Sequence, residues 1–246
     1  LNTLHGGPKG FHQFNWAYTT QQHQTSASVT FKRIIPAQVD GFPGDLTATI
    51  TYTLNNHNEV TIEFTGISTQ ATLFNPTSHA YFNLSDQPNI LTHQLQINSD
   101  HYLAVDASKI PTGQFNTVTQ TPFDFRQARL IKPAIQALQT TPEKGFDDIF
   151  NVKPTATHQI ATLSDTQSQR QLTIHSKRNG LVVFTGNSFT SALPFLTGPG
   201  HPYQGIALEP QTLPDAPNHS DFGEITLPAN QLKSYQIQYH YQQLPQ

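Results

Sequence analysis

Leu46, Ala48, Ile50, Tyr52 and Leu54 alternate strictly with Thr47, Thr49, Thr51 and Thr53, and the pattern restarts after Asn55-Asn56-His57-Asn58. There Val60, Ile62 and Phe64 alternate with Thr61, Glu63 and Thr65. Successive side chains of a strand point to opposite faces, so a period of two over both runs marks two half-buried strands. The four turn-forming residues between them make the pair an antiparallel hairpin with one face buried. Further short strands are expected at 28–35, 71–74, 93–97, 102–105, 160–163, 171–176 and 181–185. A last strand holds Leu232, Tyr235, Ile237 and Tyr239. Residues 107–127, rich in Thr, Pro and Asn, read as a long excursion between strands. Only 127–139 has a helical period, and Pro133 interrupts it. Many short strands with Gly, Pro and Asn turns predict an all-β chain, an antiparallel sandwich or barrel. No internal repeat or linker divides it, so a single domain over 1–246 is expected.

Composition narrows the chemistry. Of 246 residues only 12% are charged, about half the usual share of roughly 25%. The net charge is −3 and the basic residues are scattered, which argues against nucleic acid and against acidic membrane surfaces. No apolar run approaches the roughly 20 residues needed to span a bilayer, and the first residues lack a basic-then-apolar leader pattern. A soluble cytoplasmic protein is expected. The chain has no Cys, which removes disulfides, thiolate metal sites and a cysteine nucleophile. It also has no Met, not even at position 1.

The candidate chemistry gathers around 205–222, GIALEPQTLPDAPNHSDF. A short apolar run ends in Glu209, and Pro210, Pro214 and Pro217 stiffen the loop beyond it. Such a carboxylate is well placed for proton transfer, although strand-end acids more often sit idle in solvent. His79 lies in the aromatic run His79-Ala80-Tyr81-Phe82, where a hydrogen-bonded core histidine is the ordinary outcome. Asp147 and Asp148 lie between Phe146 and Ile149, as a polar corner or as a site. His5 precedes Gly6-Gly7 in a permissive turn. Lys9 lacks phosphate-loop spacing, and there is no G-x-S-x-G, no H-E-x-x-H and no dinucleotide fingerprint. What remains is carboxylate and imidazole acid–base chemistry. With Trp16, Tyr81 and Phe82 as aromatic walls, it suits a neutral polyhydroxylated ligand.

LHGGPKGF, NPTSHAYFNLS, GFDDIF, FTGN at 184–187 and GIALEPQTLPDAPNH occur in the order and with the spacing of motifs of the aldose 1-epimerases, the galactose mutarotases. The chain resembles that family from its first residues almost to its last strand. The resemblance implies a large antiparallel β-sandwich with an aldose such as galactose or glucose in an open cleft on one sheet. It implies Glu209 as general base, His79 as general acid, and His5 and Asp147 as groups that bind sugar hydroxyls. It implies no cofactor, a small-molecule aldose as partner, and a monomer or homodimer. Unperturbed values of about 6.5 and 4.3 would leave His79 partly protonated and Glu209 ionised near neutrality.

Three positions depart from the pattern. Asp148 stands where many members have histidine, and Val182 falls near a sugar-contacting glutamine. The HGG motif opens at His5, whereas the family carries a long preceding segment with a sugar-binding arginine. The sequence is therefore expected to be incomplete at its N-terminus. Two rival readings accompany the epimerase: a sugar-binding or regulatory relative without turnover, and a glycosidase using Glu209 and Asp147 as its carboxylate pair. A sugar-phosphate epimerase lacks the clustered basic residues it would need.

Overall fold

A computed structural model describes residues 3–196 and 198–245. Two compact units emerge, one of Leu1–Pro76 with Ile225–Gln238 and one of Thr77–Glu224 with Tyr239–Gln246. Strands dominate both. The all-β antiparallel class expected from the alternation is the observed one.

In the first unit a 3₁₀ turn, Phe11–Gln13, leads into β1 (Ala17–Gln22), β2 (Ser26–Ile35), β3 (Leu46–Asn55), β4 (Glu59–Ser68) and the short β5 (Thr72–Leu73). β1 to β4 pair antiparallel in chain order. The hairpin has the register the alternation requires, with Leu54 opposite Val60 and Ile50 opposite Phe64. Its apolar face is buried at Leu46, Ala48, Ile62 and Phe64. At the far end it is less so: Tyr52, edge-on to Phe31, is 37% and Leu54 54% exposed. The expected buried face thus holds for one half of the hairpin.

The second unit contains β6 (Tyr81–Phe82), β7 (Gln94–Ile97), β8 (Ser99–Val105), β9 (Pro111–Thr117) and β10 (Arg129–Leu130). A helix, α1 (Ile131–Ala137), comes next, then β11 (Asp147–Val152), β12 (Gln159–Asp165), β13 (Arg170–Ser176) and β14 (Gly180–Phe184). The hairpin β15 (Pro194–Phe195) with β16 (Gly198–Pro199) precedes β17 (Ile206–Gln211). Pro133 is the third residue of α1, where a missing N–H leaves no intrahelical bond unmade, so it is tolerated rather than disruptive. The stretch read as an excursion holds β9, an edge strand on β8. Its Pro111 sits at the strand's first position, where a sheet accepts proline. β18 (Thr226–Leu227) pairs with β5 in the first unit. The last strand, β19 (Lys233–Gln243), contributes its residues to Gln238 to the first unit and the rest to the second.

Within the second unit the sheet that matters has the order β6-β17-β14-β11-β8-β9. One of its faces meets the end of β19. Phe82 lies against Tyr239 with ring centroids 5.0 Å apart, and the Tyr239 hydroxyl donates to the Leu208 carbonyl at 3.3 Å. Phe125, Phe146 and Phe150 fill the middle, with centroid separations of 5.5 Å and 6.4 Å from Phe125 to the other two. Among the described residues no helix is long and apolar enough to cross a membrane.

Leu208, Ile206 and Leu181 are fully buried on the core side of this sheet. Leu208→Ala should therefore lower unfolding free energy by about 2–5 kcal/mol, read as a lower urea midpoint with an unchanged slope.

Candidate active site

The cross-strand register decides which side chains share the open face. Tyr81 is opposite Ala207, Ala207 opposite Phe184, and Phe184 opposite Asp147. Directly paired residues point the same way, so these four form one row across β6, β17, β14 and β11. Two residues along, Glu209 is opposite Val182 and Val182 opposite Ile149. A step of two preserves the face, so Glu209 projects on the same side as Tyr81 and Asp147. Leu208, Val183 and Asp148 necessarily project on the other.

His79 joins this face from the segment just before β6. Its Nε2 approaches Glu209 Oε1 to 3.3 Å. The glutamate side chain is only 7% exposed and the imidazole 37%, so the acid is sunk in the floor and the imidazole borders open space. Tyr81 flanks the imidazole with ring centroids 5.0 Å apart, and Phe184 meets it edge-on at 6.3 Å.

One backbone atom joins the two segments. The Pro210 carbonyl accepts the Thr77 hydroxyl at 2.8 Å and the Arg178 guanidinium at 2.5 Å. Thr77 is two residues before His79, and Pro210 comes directly after Glu209. The loop beyond is held as well: Asp215 turns with φ 64 and accepts the Asn218 side-chain amide at 2.6 Å, while Leu213 N–H donates to Asn179 Oδ1 at 3.3 Å. Asp215 and Asn218, read from the sequence as turn formers, thus form a turn.

Burial pushes the Glu209 carboxyl up to about 8, and the negative charge of Asp147 adds to the shift. The expectation of an ordinary, fully ionised Glu209 gives way: the group binds its proton tightly unless a cation stands beside it. The Tyr81 hydroxyl is pushed up to about 12, chiefly by burial and then by Glu209 and Asp147. Tyr81 therefore remains a hydrogen-bond donor. Asp147 is exposed at the start of β11, close enough for its charge to act on both. Asp148, on the other face, accepts the Asp147 N–H at 3.0 Å, and burial raises its carboxyl to about 6.

His79, Glu209 and Asp147 are brought together in the second unit. His5 belongs to the first, in a turn with φ 54. One aromatic wall read from the sequence, Phe82, points away from the site, and another, Trp16, belongs to the first unit. Phe82 faces the core beside Tyr239, and Trp16, in the first unit, packs on Phe11 and donates Nε1–H to the Phe11 carbonyl at 3.0 Å. Phe184 and Phe189 take their place, Phe189 lying 4.9 Å from Tyr81 between ring centroids. The FTGN stretch contained the signal for Phe184 and NPTSHAYFNLS that for Thr77, though not for its role; nothing in the sequence pointed to Arg178. A hollow of about 400 Å³ on the first unit, bordered by Gln21, Val29, Tyr52 and Leu54, has no carboxylate or imidazole in its wall. Among the described residues no group of three or more His, Asp or Glu is arranged to hold a metal ion.

The raised carboxyl has a consequence for stability. Between about 4.5, its ordinary value, and about 8 the folded chain holds a proton on Glu209 that the unfolded chain has lost. Stability then falls as pH rises through that window. Glu209→Gln should remove this penalty, so its advantage over the parent in urea denaturation should grow from pH 5 to pH 8 by on the order of 2 kcal/mol.

Comparison with known proteins relates the chain to one family. A family model described as aldose 1-epimerase matches residues 1–240. A maltose epimerase of Levilactobacillus brevis is 43% identical over 241 residues, which are 98% of this chain and 70% of that protein. The galactose mutarotase of Homo sapiens is 35% identical over 230 residues, 92% of this chain and 65% of that protein. The crystal structure of an aldose epimerase homologue from C. elegans superposes with a TM-score of 0.86 at 26% identity, covering 99% of this chain and 73% of that one. The chain belongs to the aldose 1-epimerase family of epimerase enzymes.

Proposed function

We propose that the chain interconverts the α and β anomers of a free aldose, such as galactose or glucose, by opening and reclosing its ring. The observation that carries this is the 3.3 Å approach of His79 Nε2 to Glu209 Oε1 on an open sheet face. Glu209 takes the proton of the anomeric hydroxyl while the imidazolium of His79 gives one to the ring oxygen. The C1–O5 bond breaks and the open-chain aldehyde forms. Rotation about the C1–C2 bond presents the other carbonyl face, O5 adds back, and both protons return. Nothing is oxidised, and no bond to the protein is made.

The raised Glu209 value supports this reading. A base whose pKa is near the working pH is a better proton acceptor than an ordinary glutamate and still releases its proton. The reaction uses the form in which Glu209 and His79 share one proton. With the proton on the imidazole the pair is ready for ring opening, and with it on the carboxyl it is ready for the reverse step. Asp147 and the Tyr81 hydroxyl are placed to bind sugar hydroxyls on the same face. Relatives whose names specify maltose and galactose as substrates leave room for either class of aldose at this site.

Polarimetry of freshly dissolved α-glucose and α-galactose tests the assignment. Glu209→Gln and His79→Asn should each lower kcat by about 10²–10⁴. Near-full turnover in either would remove that residue from the mechanism. Saturable sugar binding without faster mutarotation by the parent chain would favour the binding relative instead. Thr77 acts at one remove, as a positioning residue. Thr77→Val should lower kcat severalfold with little change in KM, and Thr77→Ser, which keeps the hydroxyl, should restore it.

A further inference from the structure

The aromatic contacts of the site do not stop at Tyr81. Its ring meets Phe189 at 4.9 Å, and Phe189 meets Phe195 at 5.3 Å, so the rings step outward from His79 to the β15–β16 hairpin. Phe189 is buried, whereas Phe195 is 37% and Leu193 42% exposed. Isolated exposed leucines need no explanation, but a run of apolar groups continuous with a reaction centre does. The hairpin is also built rather than loose. Leu193 N–H donates to Thr190 O and Gly200 N–H to Leu193 O, both at 3.0 Å, and β15 pairs with β16 from Pro194–Pro199 to Phe195–Gly198. Gly200 lets the Phe195 ring lie against the backbone, since a Cβ there would stand 2.9 Å from Cε2 of that ring.

We propose that Leu193 and Phe195, backed by the buried Phe189, form a second sugar subsite, which takes the non-reducing ring of a disaccharide linked through O4 of the reacting aldose. This rests on the epimerase reading. The reacting ring must present C1 and O5 to Glu209 and His79, and O4 lies at its opposite end, so a group attached there extends away from the pair. An aromatic ring offers its face to the C–H face of a pyranose, and apolar walls with few polar groups are the usual make-up of a ligand pocket. The segment 184–205 contains no Lys, Arg, Asp or Glu, so it suits a neutral sugar and gives a phosphate no cationic partner.

The experiment compares maltose, 4-linked, with glucose in polarimetric kinetics of the parent chain and of Phe195→Ser, with Leu193→Ser as a second variant and circular dichroism to check folding. The parent should accelerate both sugars. The substitution should lower the ratio of kcat/KM for maltose to that for glucose about tenfold, mainly through the maltose KM. Isomaltose, linked through O6, should show a smaller change in the same ratio. An unchanged ratio in both variants overturns the subsite and leaves the epimerase standing. So does a parent that accelerates glucose and leaves maltose untouched. A parent that accelerates neither sugar overturns the epimerase reading and the subsite with it. Should Phe195→Ser fail to fold, calorimetric binding of maltose and glucose to Glu209→Gln with and without Leu193→Ser decides: preferential loss of maltose supports the subsite, and equal binding of both sugars overturns it.

Discussion

Everything at the candidate site depends on two segments far apart in sequence being held at one backbone oxygen. The Pro210 carbonyl receives Thr77 from the His79 side and Arg178 from the turn before β14. Proline cannot donate a hydrogen bond, yet its carbonyl has two lone pairs, and both are used here. A bond to a charged donor is worth about 1.5–3 kcal/mol and a neutral one about 0.5–1.5 kcal/mol. Together they hold against the side-chain and backbone freedom that would otherwise separate the acid from the imidazole. The distance between His79 and Glu209 is then a property of the sheet rather than of two mobile side chains.

That arrangement carries a cost, and the cost is part of the chemistry. Sinking Glu209 into the floor beside Asp147 disfavours its charged form. The opposite face of the same strands offsets the penalty: Ile206 and Leu208 on β17, and Leu181 and Val183 on β14, are fully buried. Removing Glu209 should stabilise the fold for the same reason that it should disable the reaction, the usual relation between a strained site and its scaffold.

The parts of the fold that arise from local periodicity were legible in the sequence. The β3–β4 hairpin was written in strict alternation, and its register is the one that alternation requires. β9 was not legible, because Pro111 and Gly113 signal a turn and only pairing with β8 makes them a strand. At the site, His79, Asp147 and Glu209 stood out through the family resemblance of their motifs, whereas read residue by residue they were an ordinary core histidine and solvated acids. The clamp was not legible, since its acceptor is a main-chain oxygen that any residue could supply. The raised carboxyl was equally hidden: it comes from what surrounds Glu209 in space. Tyr81 and Phe82 show the difference within one dipeptide. Both were read as walls of the cleft, but neighbours on a strand face opposite ways, and only Tyr81 reaches the sugar side.

The sheet thus divides its work by parity. Along β17, Ala207 and Glu209 face the site while Ile206 and Leu208 face the core. A one-residue slip would place Leu208 beside His79 and bury Glu209 among Phe150 and its neighbours, which would leave a charge without partner or solvent. The same apolar residues that hold the sandwich together therefore also exclude that slip. Stability and catalytic geometry are specified by one alternation along β17 and its neighbours.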